Sequence, residues 1–521
     1  MATGNIQNEE EVGSPRRWLI LFAMTGSLAM ILLDVTVVGV SLPQIRNDLQ
    51  LDDSGPQTAT WVMNAYTLAI ASLIALGGRL SDSIGRVRCF VLGVITFAIA
   101  SVACGMAQSG NALIAARVAQ GIGAALMQPS SSTIVISSFA PGERGKAMGV
   151  YIGIPMVFLA LGPLIGGVLT EYASWRASFF LNIPVAILAL ALTAKARPTD
   201  GPRSTQGFDP RAALLYLAGL PAFVFALQQG SVWGWRTPAI LWPLIGGFVL
   251  VVLFTVSQWR RERPLLAVRL FEDRPFLGNG LVLFCMQFAM TGQVIFMSEY
   301  FQGGLELTPS RAGAALMPML LPVLIVVHVA GRMYDRGGAR APVLLGTALA
   351  TIGLACEALL VPHGQYIPVA VGMFLFGAGI GFTMSPTNTD ALSRVGPERR
   401  GQASGLLGTL RQVAASLGIA VSGAAVLMAQ QASVRSRLPV NAPEIALVER
   451  AAHGDTSAIA GLADNPALRA MARSALMDGT AAGHWVACVA VACAFVVAFI
   501  FIPRGSPRDR GRDSSTPGAS T

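Results

Sequence analysis

The sequence predicts an all-α polytopic membrane protein with fourteen transmembrane helices. The chain of 521 residues is strongly apolar, with 53% hydrophobic residues, only 12% charged residues and a mean hydropathy of +0.59. A soluble protein of this length would need far more polar surface. The apolar residues fall into long runs separated by basic loops, and the two halves of the chain repeat the same short motifs.

Fourteen apolar runs are long enough to span a bilayer, whose core of about 30 Å requires about 20 residues per helix. They lie at 18–42, 58–78, 89–107, 111–136, 145–169, 178–196, 211–230, 238–258, 276–300, 310–330, 342–361, 366–390, 401–428 and 484–502. Several contain Gly and Pro, which membrane helices tolerate where they pack against neighbours.

The basic residues between the runs indicate an orientation. If both termini are cytoplasmic, the inner loops carry twenty-six Arg and Lys residues, whereas the short outer loops carry only Arg46, Arg176, Arg236 and Arg311. This bias follows the positive-inside rule. An error of one helix would scramble the alternation, so the charges favour fourteen spans with both termini on the cytoplasmic side.

Short motifs recur at a nearly constant offset. The loop Gly78–Arg88 (GRLSDSIGRVR) has a degenerate copy at Gly331–Arg340, with its Asp displaced by 253 residues. Pro141–Gly149 and Pro397–Gly405 share the pattern P-x-x-R-G-x-A-x-G at an offset of 256 residues. Repeats in one order at one spacing predict two related halves. In a membrane protein, related halves suggest a transporter with its site between them.

The repeat divides the chain into two six-helix bundles, at 18–196 and 276–502, with helices 7 and 8 (211–258) as an insert. The remaining predicted segments are a cytoplasmic N-terminal tail (1–17), a flexible linker (197–210), a cytoplasmic loop (259–275) and a disordered cytoplasmic tail (503–521). Within the C-terminal bundle we expect a long outer loop at 429–483. Its stretch Asn465–Gly479 could form an amphipathic helix, serving as a loosely packed cap or as a docking surface for a periplasmic adaptor protein.

Composition and motifs exclude several other classes. The net charge is +9, but the basic residues are distributed between apolar runs, whereas a nucleic-acid-binding protein would cluster them. All six cysteines lie inside apolar runs, which predicts small apolar fillers rather than disulfides or a zinc site. No nucleophile, metal or nucleotide motif supports an enzyme, and we expect no cofactor.

Asp34 and Arg117 are the charged residues best placed inside the membrane. At 1.5 Å per residue, Asp34 on helix 1 lies about 24 Å from the cytoplasmic side of the membrane. Arg117 on helix 4 lies about 21 Å from the same side, so the two could pair. The pair could simply orient two helices, or Asp34 could take and release a proton with Arg117 as its modulator. Because charges in mid-membrane are expensive and usually functional, we favour the second interpretation.

Other polar residues inside the helices are candidates for lining a substrate cavity. They are Asn64, Tyr66, Gln120, Gln128, Gln287, Gln293 and Arg411. Some of the uncharged ones are expected to make ordinary interhelical hydrogen bonds instead. Glu357, near the outer end of helix 11, is expected to extend to the interface rather than to take part in coupling, and His328 is expected to be satisfied or interfacial.

These residues resemble the signatures of the major facilitator superfamily, and within it the fourteen-span drug:proton antiporters of EmrB/QacA type. Three groups of residues carry the resemblance. The loop between helices 2 and 3 matches at Gly78, Leu80, Asp82, Gly85, Arg86 and Arg88. The helix 4 motif matches at Arg117, Gln120, Gly121 and Gly123, and the antiporter motif of helix 5 at Gly149, Gly162, Pro163, Gly166 and Gly167. Phe158 departs from the usual Gly of that motif.

The resemblance implies the major facilitator fold and a gate at the cytoplasmic side. Asp82 would contact the start of helix 13 near Gly401, and Asp335 would face the start of helix 5 near Gly145. A carboxylate there meets unsatisfied amide groups and the positive end of a helix dipole. Arg86 and Arg144 would complete the charge cluster. The glycines of helix 5 would give either plain packing or a tight interface that closes the outer side of the cavity.

The resemblance further implies proton-driven efflux of hydrophobic small molecules or drugs by alternating access. The expected location is the bacterial inner (cytoplasmic) membrane, and the expected partners are membrane lipid, protons and a hydrophobic substrate. One alternative is a dedicated exporter of one metabolite or antibiotic, with a possible periplasmic adaptor. A second alternative is a membrane sensor or scaffold that does not transport.

Overall fold

The structure is a computed structural model that describes residues 14–51, 58–200, 209–261, 264–439, 444–452, 458 and 461–505. Within these ranges the chain is helical, with seventeen α-helices and no β-strand. Most of the N-terminal tail, most of the linker and residues 506–521 of the C-terminal tail lie outside the described residues.

The first nine helices form the N-terminal half and the insert. They are α1 (Arg17–Asp48), α2 (Thr58–Ile84), α3 (Arg86–Gly105), α4 (Gly110–Ser138), α5 (Arg144–Tyr172), α6 (Trp175–Phe180), α7 (Asn182–Ala196), α8 (Pro210–Trp233) and α9 (Pro238–Trp259). The C-terminal half contains α10 (Arg274–Glu299), α11 (Pro309–Ala315), α12 (Met317–Gly337), α13 (Arg340–Leu360), α14 (Tyr366–Ser393), α15 (Arg400–Arg437), α16 (Ile445–Ala452) and α17 (Pro466–Phe501).

Local sequence explains several helix boundaries. Asp209, Asp273 and Asn465 cap the starts of α8, α10 and α17 by accepting backbone N–H groups, and a Pro follows each cap. Both features are typical of helix N-termini. The repeated glycines Gly85 and Gly338 separate α2 from α3 and α12 from α13, with φ of +107° and +82°. Only glycine adopts these conformations without strain, which explains why both halves carry a Gly here.

Twelve of the described helical segments are long and apolar enough to cross a membrane, and thirteen if bent α5 counts as one span. The two parts of α5 meet at 42° between Leu159 and Leu164. Helix α4 has 29 residues but is not among these segments, because its sequence is rich in Gly, Ser and Gln. Large apolar side chains such as Ile99, Leu164 and Ile325 are 65–72% exposed, as expected for side chains that face lipid.

Two expected boundaries differ in the structure. Helix α15 continues to Arg437 and α17 begins at Pro466, so the outer connection is much shorter than the predicted 429–483. It contains α16, which packs against α15 and α17. The predicted amphipathic helix at Asn465–Gly479 is the first part of α17 and is continuous with the membrane span. Counting apolar residues missed these extensions because helices can continue beyond the bilayer.

The two halves meet through two pairs of helices. Helix α2 packs against α15, and α5 packs against α12. The insert α8–α9 forms a hairpin in which α8 contacts both α2 and α15. We call one end of the bundle the motif end, because it carries Gly85, residues 139–143, Gly338 and residues 394–399. The other is the opposite end.

Candidate functional site

At the motif end, Asp82 joins the two halves. This residue lies at the end of α2, and its carboxylate accepts the backbone N–H of Gly401 at 2.9 Å and of Gln402 at 2.7 Å. Both donors belong to the first turn of α15, where amides lack intrahelical partners. Asp82 is only 2% exposed, so its charge is matched by these donors and by the helix dipole.

Asp335 makes the same contact in the other direction. At the end of α12, it accepts the N–H of Gly145 at 2.8 Å and of Lys146 at 3.1 Å, in the first turn of α5. Each half therefore caps a helix of the other half. The predicted contacts of Asp82 with Gly401 and of Asp335 with Gly145 are both present.

Glycines allow these helices to approach closely. A Cβ atom on Gly78 would collide with the backbone of Gly401, and one on Gly331 with the backbone of Gly145. Gly78 and Gly331 are the opening residues of the two repeated loops, which explains why both copies begin with glycine. The close approach brings each Asp within reach of the facing amides.

Arginines surround these contacts. Arg86 donates to the Pro397 carbonyl and, at 2.9 Å, to Ser137 Oγ. Arg144 and Arg400 occupy equivalent positions, and each donates at 3.2 Å to a carbonyl five residues earlier, in Phe139 and Val395. Sequence reasoning identified Arg86 and Arg144 but missed Arg400, although the repeat offset of 256 relates it to Arg144.

A cavity of about 160 Å³ lies between the halves beyond the motif end. The Oγ atoms of Ser132 on α4 and Ser404 on α15 share a hydrogen bond of 2.7 Å beside it. The lining residues are Leu28, Leu32, Ile74, Gln128, Ser132, Tyr151, Ile152, Met156, Gln287, Met290, Asn388, Ser404, Gly408, Arg411 and Gln412. Arg411 is the charged residue among these described lining residues, which include no carboxylate.

Three of the predicted cavity residues, Gln128, Gln287 and Arg411, line this cavity. Four do not: Asn64, Tyr66, Gln120 and Gln293. Asn388 and Gln412 were missed because a single sequence does not indicate which face of a helix points inward. Asn388 lies in Met384–Thr389 (MSPTNT), which weakly resembles Met127–Ser132 (MQPSSS) with its Gln128. That likeness between the halves was the available signal.

Asp34 forms a buried cluster inside the N-terminal half. Its carboxylate forms an ion pair with Arg117 and accepts from Gln120 at 2.7 Å and from Asn182 at 3.3 Å. The side chains of Asp34 and Arg117 are both 0% exposed. Ser101 accepts from Gln120 at 2.8 Å and from Asn182 at 3.3 Å. We call these five residues the Asp34 cluster.

Arg117 is held by further groups. Its Nε donates to the Val62 carbonyl at 3.0 Å, its NH1 to Gln120 at 2.8 Å, and its guanidinium lies 4.2 Å from the ring centroid of Tyr66. The predicted pairing of Asp34 with Arg117 is therefore present, and Tyr66 and Gln120 serve this pair rather than the cavity. Sequence reasoning missed Ser101 and Asn182, which come from α3 and α7.

Asp34 does not line the central cavity in this conformation. The α1 residues that do are Leu28 and Leu32, which lie on a different face of the helix from Asp34. The sequence predicts that Asp34 can reach Arg117 but leaves the direction of its side chain open. The Asp34 carboxylate is therefore closed off from this cavity.

A second buried cluster lies in the C-terminal half. Glu357 on α13 is 0% exposed and lies 3.2 Å from Nε2 of His484 on α17. Gln293 on α10 donates to the same carboxylate. The expectation that Glu357 extends to the interface is therefore wrong. Gly372 on α14 leaves space for it, since a Cβ there would lie 2.7 Å from Glu357 Cγ.

The glycines of α5 adjoin both halves. A Cβ on Gly149 would lie 3.0 Å from the Val327 carbonyl oxygen of α12. A Cβ on Gly162 would collide with Thr36 of α1, and one on Gly166 would lie 3.1 Å from Val37. A Cβ on Gly167 would meet nothing within 4 Å. The side chain of Pro163 lies outside the described residues. At Gly162 and Gly166 the tight interface is thus one between α5 and α1, whereas Gly149 adjoins α12 of the other half.

Known proteins match both the sequence and the fold. The model of the Major Facilitator Superfamily matches residues 24–419. Puromycin resistance protein pur8 of Streptomyces alboniger is 34% identical over 453 residues, 86% of this chain and 88% of that protein. Multidrug resistance protein Stp of Mycobacterium tuberculosis is 31% identical over 434 residues, 82% of this chain and 80% of that protein.

A solved structure supports the fold. The human organic anion transporter MFSD10 superposes with a TM-score of 0.63 at 15% identity, covering 93% of this chain and 99% of that one. Two helical halves joined at one end around a central cavity define a class of membrane transporters. The chain belongs to the Major Facilitator Superfamily.

Proposed function

We propose that this protein is a proton-driven exporter of hydrophobic small molecules in a bacterial cytoplasmic membrane. The observation that carries the proposal is the pair of reciprocal caps at Asp82 and Asp335, which close one end of the bundle below a cavity shared by both halves. Rocking of the halves would break these caps and open the cavity to the other side. The relatives named for puromycin resistance and multidrug resistance support drugs as the cargo.

The topology we propose has fourteen spans. Adding α4 and bent α5 to the twelve segments that can cross a membrane gives fourteen spans. This is the number that the charge pattern favours. The motif end, rich in arginine, would face the cytoplasm together with both termini. In this arrangement the structure represents a state closed to the cytoplasm.

Asp34 is the proton carrier in this proposal. Its carboxylate is fully buried and shares Arg117 with Gln120. A proton on Asp34 would remove the charge that holds Arg117, which frees α1 to move relative to α4. Inward proton flow would supply the work of export, at about 2.3 kcal/mol per charge per 100 mV.

Arg411 defines the chemistry of the cavity. A partly buried arginine without a carboxylate beside it is costly, and a substrate with an anionic or acceptor-rich group would offset that cost. Gln128, Gln287, Asn388 and Gln412 add hydrogen-bonding groups, while Leu28, Ile74 and Met290 supply apolar surface. We therefore propose hydrophobic substrates that carry acceptors, such as carbonyl or carboxylate groups.

The test is a drug-accumulation panel in a host lacking its own pumps. Cells with wild-type protein should accumulate less of at least one compound than cells with Asp34→Asn, and an uncoupler should remove the difference. Equal accumulation in wild-type cells and cells without the protein, across compounds of both charges, would exclude export. Protection against one compound would favour the dedicated exporter, since pur8 is named for resistance to a single antibiotic.

A further inference from the structure

The cluster of Gln293, Glu357, Thr480 and His484, which we call the Glu357 cluster, has no part in the cavity or in the Asp34 cluster. Its members come from α10, α13 and α17, and Glu357 lies in the last turn of α13, toward the opposite end. The side chains of Glu357 and His484 are 0% and 1% exposed. An acid and an imidazole buried together need a physical explanation.

The hydrogen bonds of His484 define where its protons must be. Its Nδ1 lies 2.6 Å from the carbonyl oxygen of Thr480. A carbonyl oxygen can only accept, so Nδ1 carries a hydrogen. The ring then presents Nε2 to Glu357 Oε2 at 3.2 Å. If the ring is neutral and the carboxyl is ionised, two lone pairs face each other at this distance.

One proton resolves that conflict. Placed on Nε2 it makes an imidazolium–carboxylate pair, and placed on Glu357 it makes a neutral acid that donates to Nε2. In both forms the cluster is neutral. Without the proton the cluster carries an uncompensated negative charge, which is expensive in a buried site.

No other described residue supplies the missing charge. Among the described residues, neither partner forms a second ion pair within 4.0 Å. The neighbouring elements present uncharged groups: Gln293 from α10, Gly372 from α14, Ser422 from α15 beside Gly483, and Cys488 from α17, whose thiol lies 3.5 Å from the Thr351 carbonyl on α13. Glu357 Oε1, Gln293 Oε1 and His484 Nε2 have no hydrogen-bond partner.

The position matches the other half of the molecule. Glu357 and Ser101 are 256 residues apart, the offset that relates Pro397 to Pro141. Ser101 belongs to the Asp34 cluster, so both halves place a buried polar cluster at corresponding positions. In the N-terminal half the cation is the guanidinium of Arg117. In the C-terminal half it is a histidine, which can lose its charge.

We propose that Glu357 and His484 form a proton-binding site in the C-terminal half, separate from Asp34. It holds one proton between His484 Nε2 and Glu357 Oε2 in the packed conformation. Loss of the proton leaves the lone pairs opposed and separates α13 from α17. The site lies on the side of the membrane opposite to the motif end, and it does not depend on what the cavity carries.

The test uses the full-length protein in lipid nanodiscs with ring-¹⁵N-labelled histidine. The chain has four histidines, and the His484 signals are assigned by their absence from His484→Gln. At neutral pH we expect Nδ1 of His484 to carry a proton and Nε2 to share one with Glu357. In Glu357→Gln the shared proton should be gone, leaving a neutral ring with a proton on Nδ1.

His328 provides the matched control. Its Nδ1 likewise lies near the carbonyl four residues earlier, in Leu324 at 2.8 Å, but no carboxylate of the described residues forms an ion pair with it. His328→Gln should leave the His484 signals unchanged. A wild-type His484 whose Nε2 neither carries a proton nor accepts a hydrogen bond from Glu357 would overturn the proposal. This outcome is read from the wild-type protein alone, so it does not depend on how well a variant folds.

Discussion

Ser132 and Ser404 share a hydrogen bond of 2.7 Å, and they belong to opposite halves of the molecule. Ser132 follows the MQPS sequence of α4, and Ser404 lies one turn beyond the amides that Asp82 caps. The bond therefore lies between the reciprocal caps and the cavity. It gives a direct measure of whether the motif end is closed.

Cysteines at these two positions should form a disulfide that locks the closed state. The serine oxygens are in contact, so Ser132→Cys with Ser404→Cys should crosslink under mild oxidation in a background without the native cysteines. Export should stop on oxidation and return on reduction, measured by substrate efflux from the same cells. The control pairs Ser131→Cys with Ser404→Cys, since Ser131 bonds to Tyr151 within its own half at 2.7 Å. Equal crosslinking of both pairs would contradict the geometry.

Replacing Asp82 with Asn should open the motif end more often. The amide keeps one acceptor oxygen but loses the charge that faces Gly401 and Gln402, and hydrogen bonds to charged groups contribute about 1.5–3 kcal/mol. The readout is the alkylation of a cysteine placed at Ser404 by a thiol reagent added on the cytoplasmic side. We expect its rate to rise about tenfold.

Asp200→Asn is the control for that experiment, because Asp200 accepts the Val87 N–H at 2.8 Å, at the start of a helix in its own half. Asp335→Asn should act like Asp82→Asn, since its cap is equivalent. An unchanged alkylation rate in both cap variants would show that the caps do not hold the gate.

Arg411→Gln should alter substrate preference rather than stability. Removing the cavity's positive charge should reduce export of anionic probes at least tenfold, since one lost charge-assisted hydrogen bond corresponds to about 1.5–3 kcal/mol. Neutral apolar probes should be less affected. The measurement compares efflux of an anionic dye and a neutral dye of similar size.

Arg411→Lys is the matched control, because it keeps the charge and should retain part of the anion export. If Arg411→Gln lowers export of both dyes equally, the arginine has a structural role. Export of a cationic dye by the wild-type protein, with none of the anionic dye, would contradict the proposed substrate class.

Two glycines of α5 should respond differently to alanine. Gly162→Ala forces a methyl group into Thr36, and overpacking of this kind costs about 1–3 kcal/mol. Gly167→Ala adds a methyl group where no atom lies within 4 Å, so it should be neutral. Thermal unfolding of the purified protein in detergent measures the difference, and equal melting temperatures would contradict the α1–α5 packing.

The repeats predicted the motif end well because its geometry is encoded locally. Asp82, Asp335, Gly85 and Gly338 occur in short loops where a few residues define both the turn and the charge. The depth of Asp34 and Arg117 also follows from counting residues along helices. Local pattern therefore located the caps and the first buried pair.

The interior of the C-terminal half could not be predicted in the same way. Glu357 lies close to a helix end, where an acid often reaches water, and only the direction of its side chain distinguishes the two cases. His484 was placed at the start of a span, although α17 begins at Pro466. The rotation and the length of a helix depend on its neighbouring helices. They cannot be predicted from a single sequence whose helices are apolar on every face.

The insert α8–α9 covers the junction between the two halves on one side of the molecule only, among the described helices. Tyr216 of α8 lies 3.4 Å from Thr409 of α15, and Phe225 of α8 stacks on Trp61 of α2 at 5.7 Å. The crevice between α2 and α15 is thus shielded from the surrounding lipid, while no equivalent pair of described helices covers the crevice between α5 and α12. A molecule dissolved in the bilayer would meet a barrier on one flank and an unshielded junction on the other.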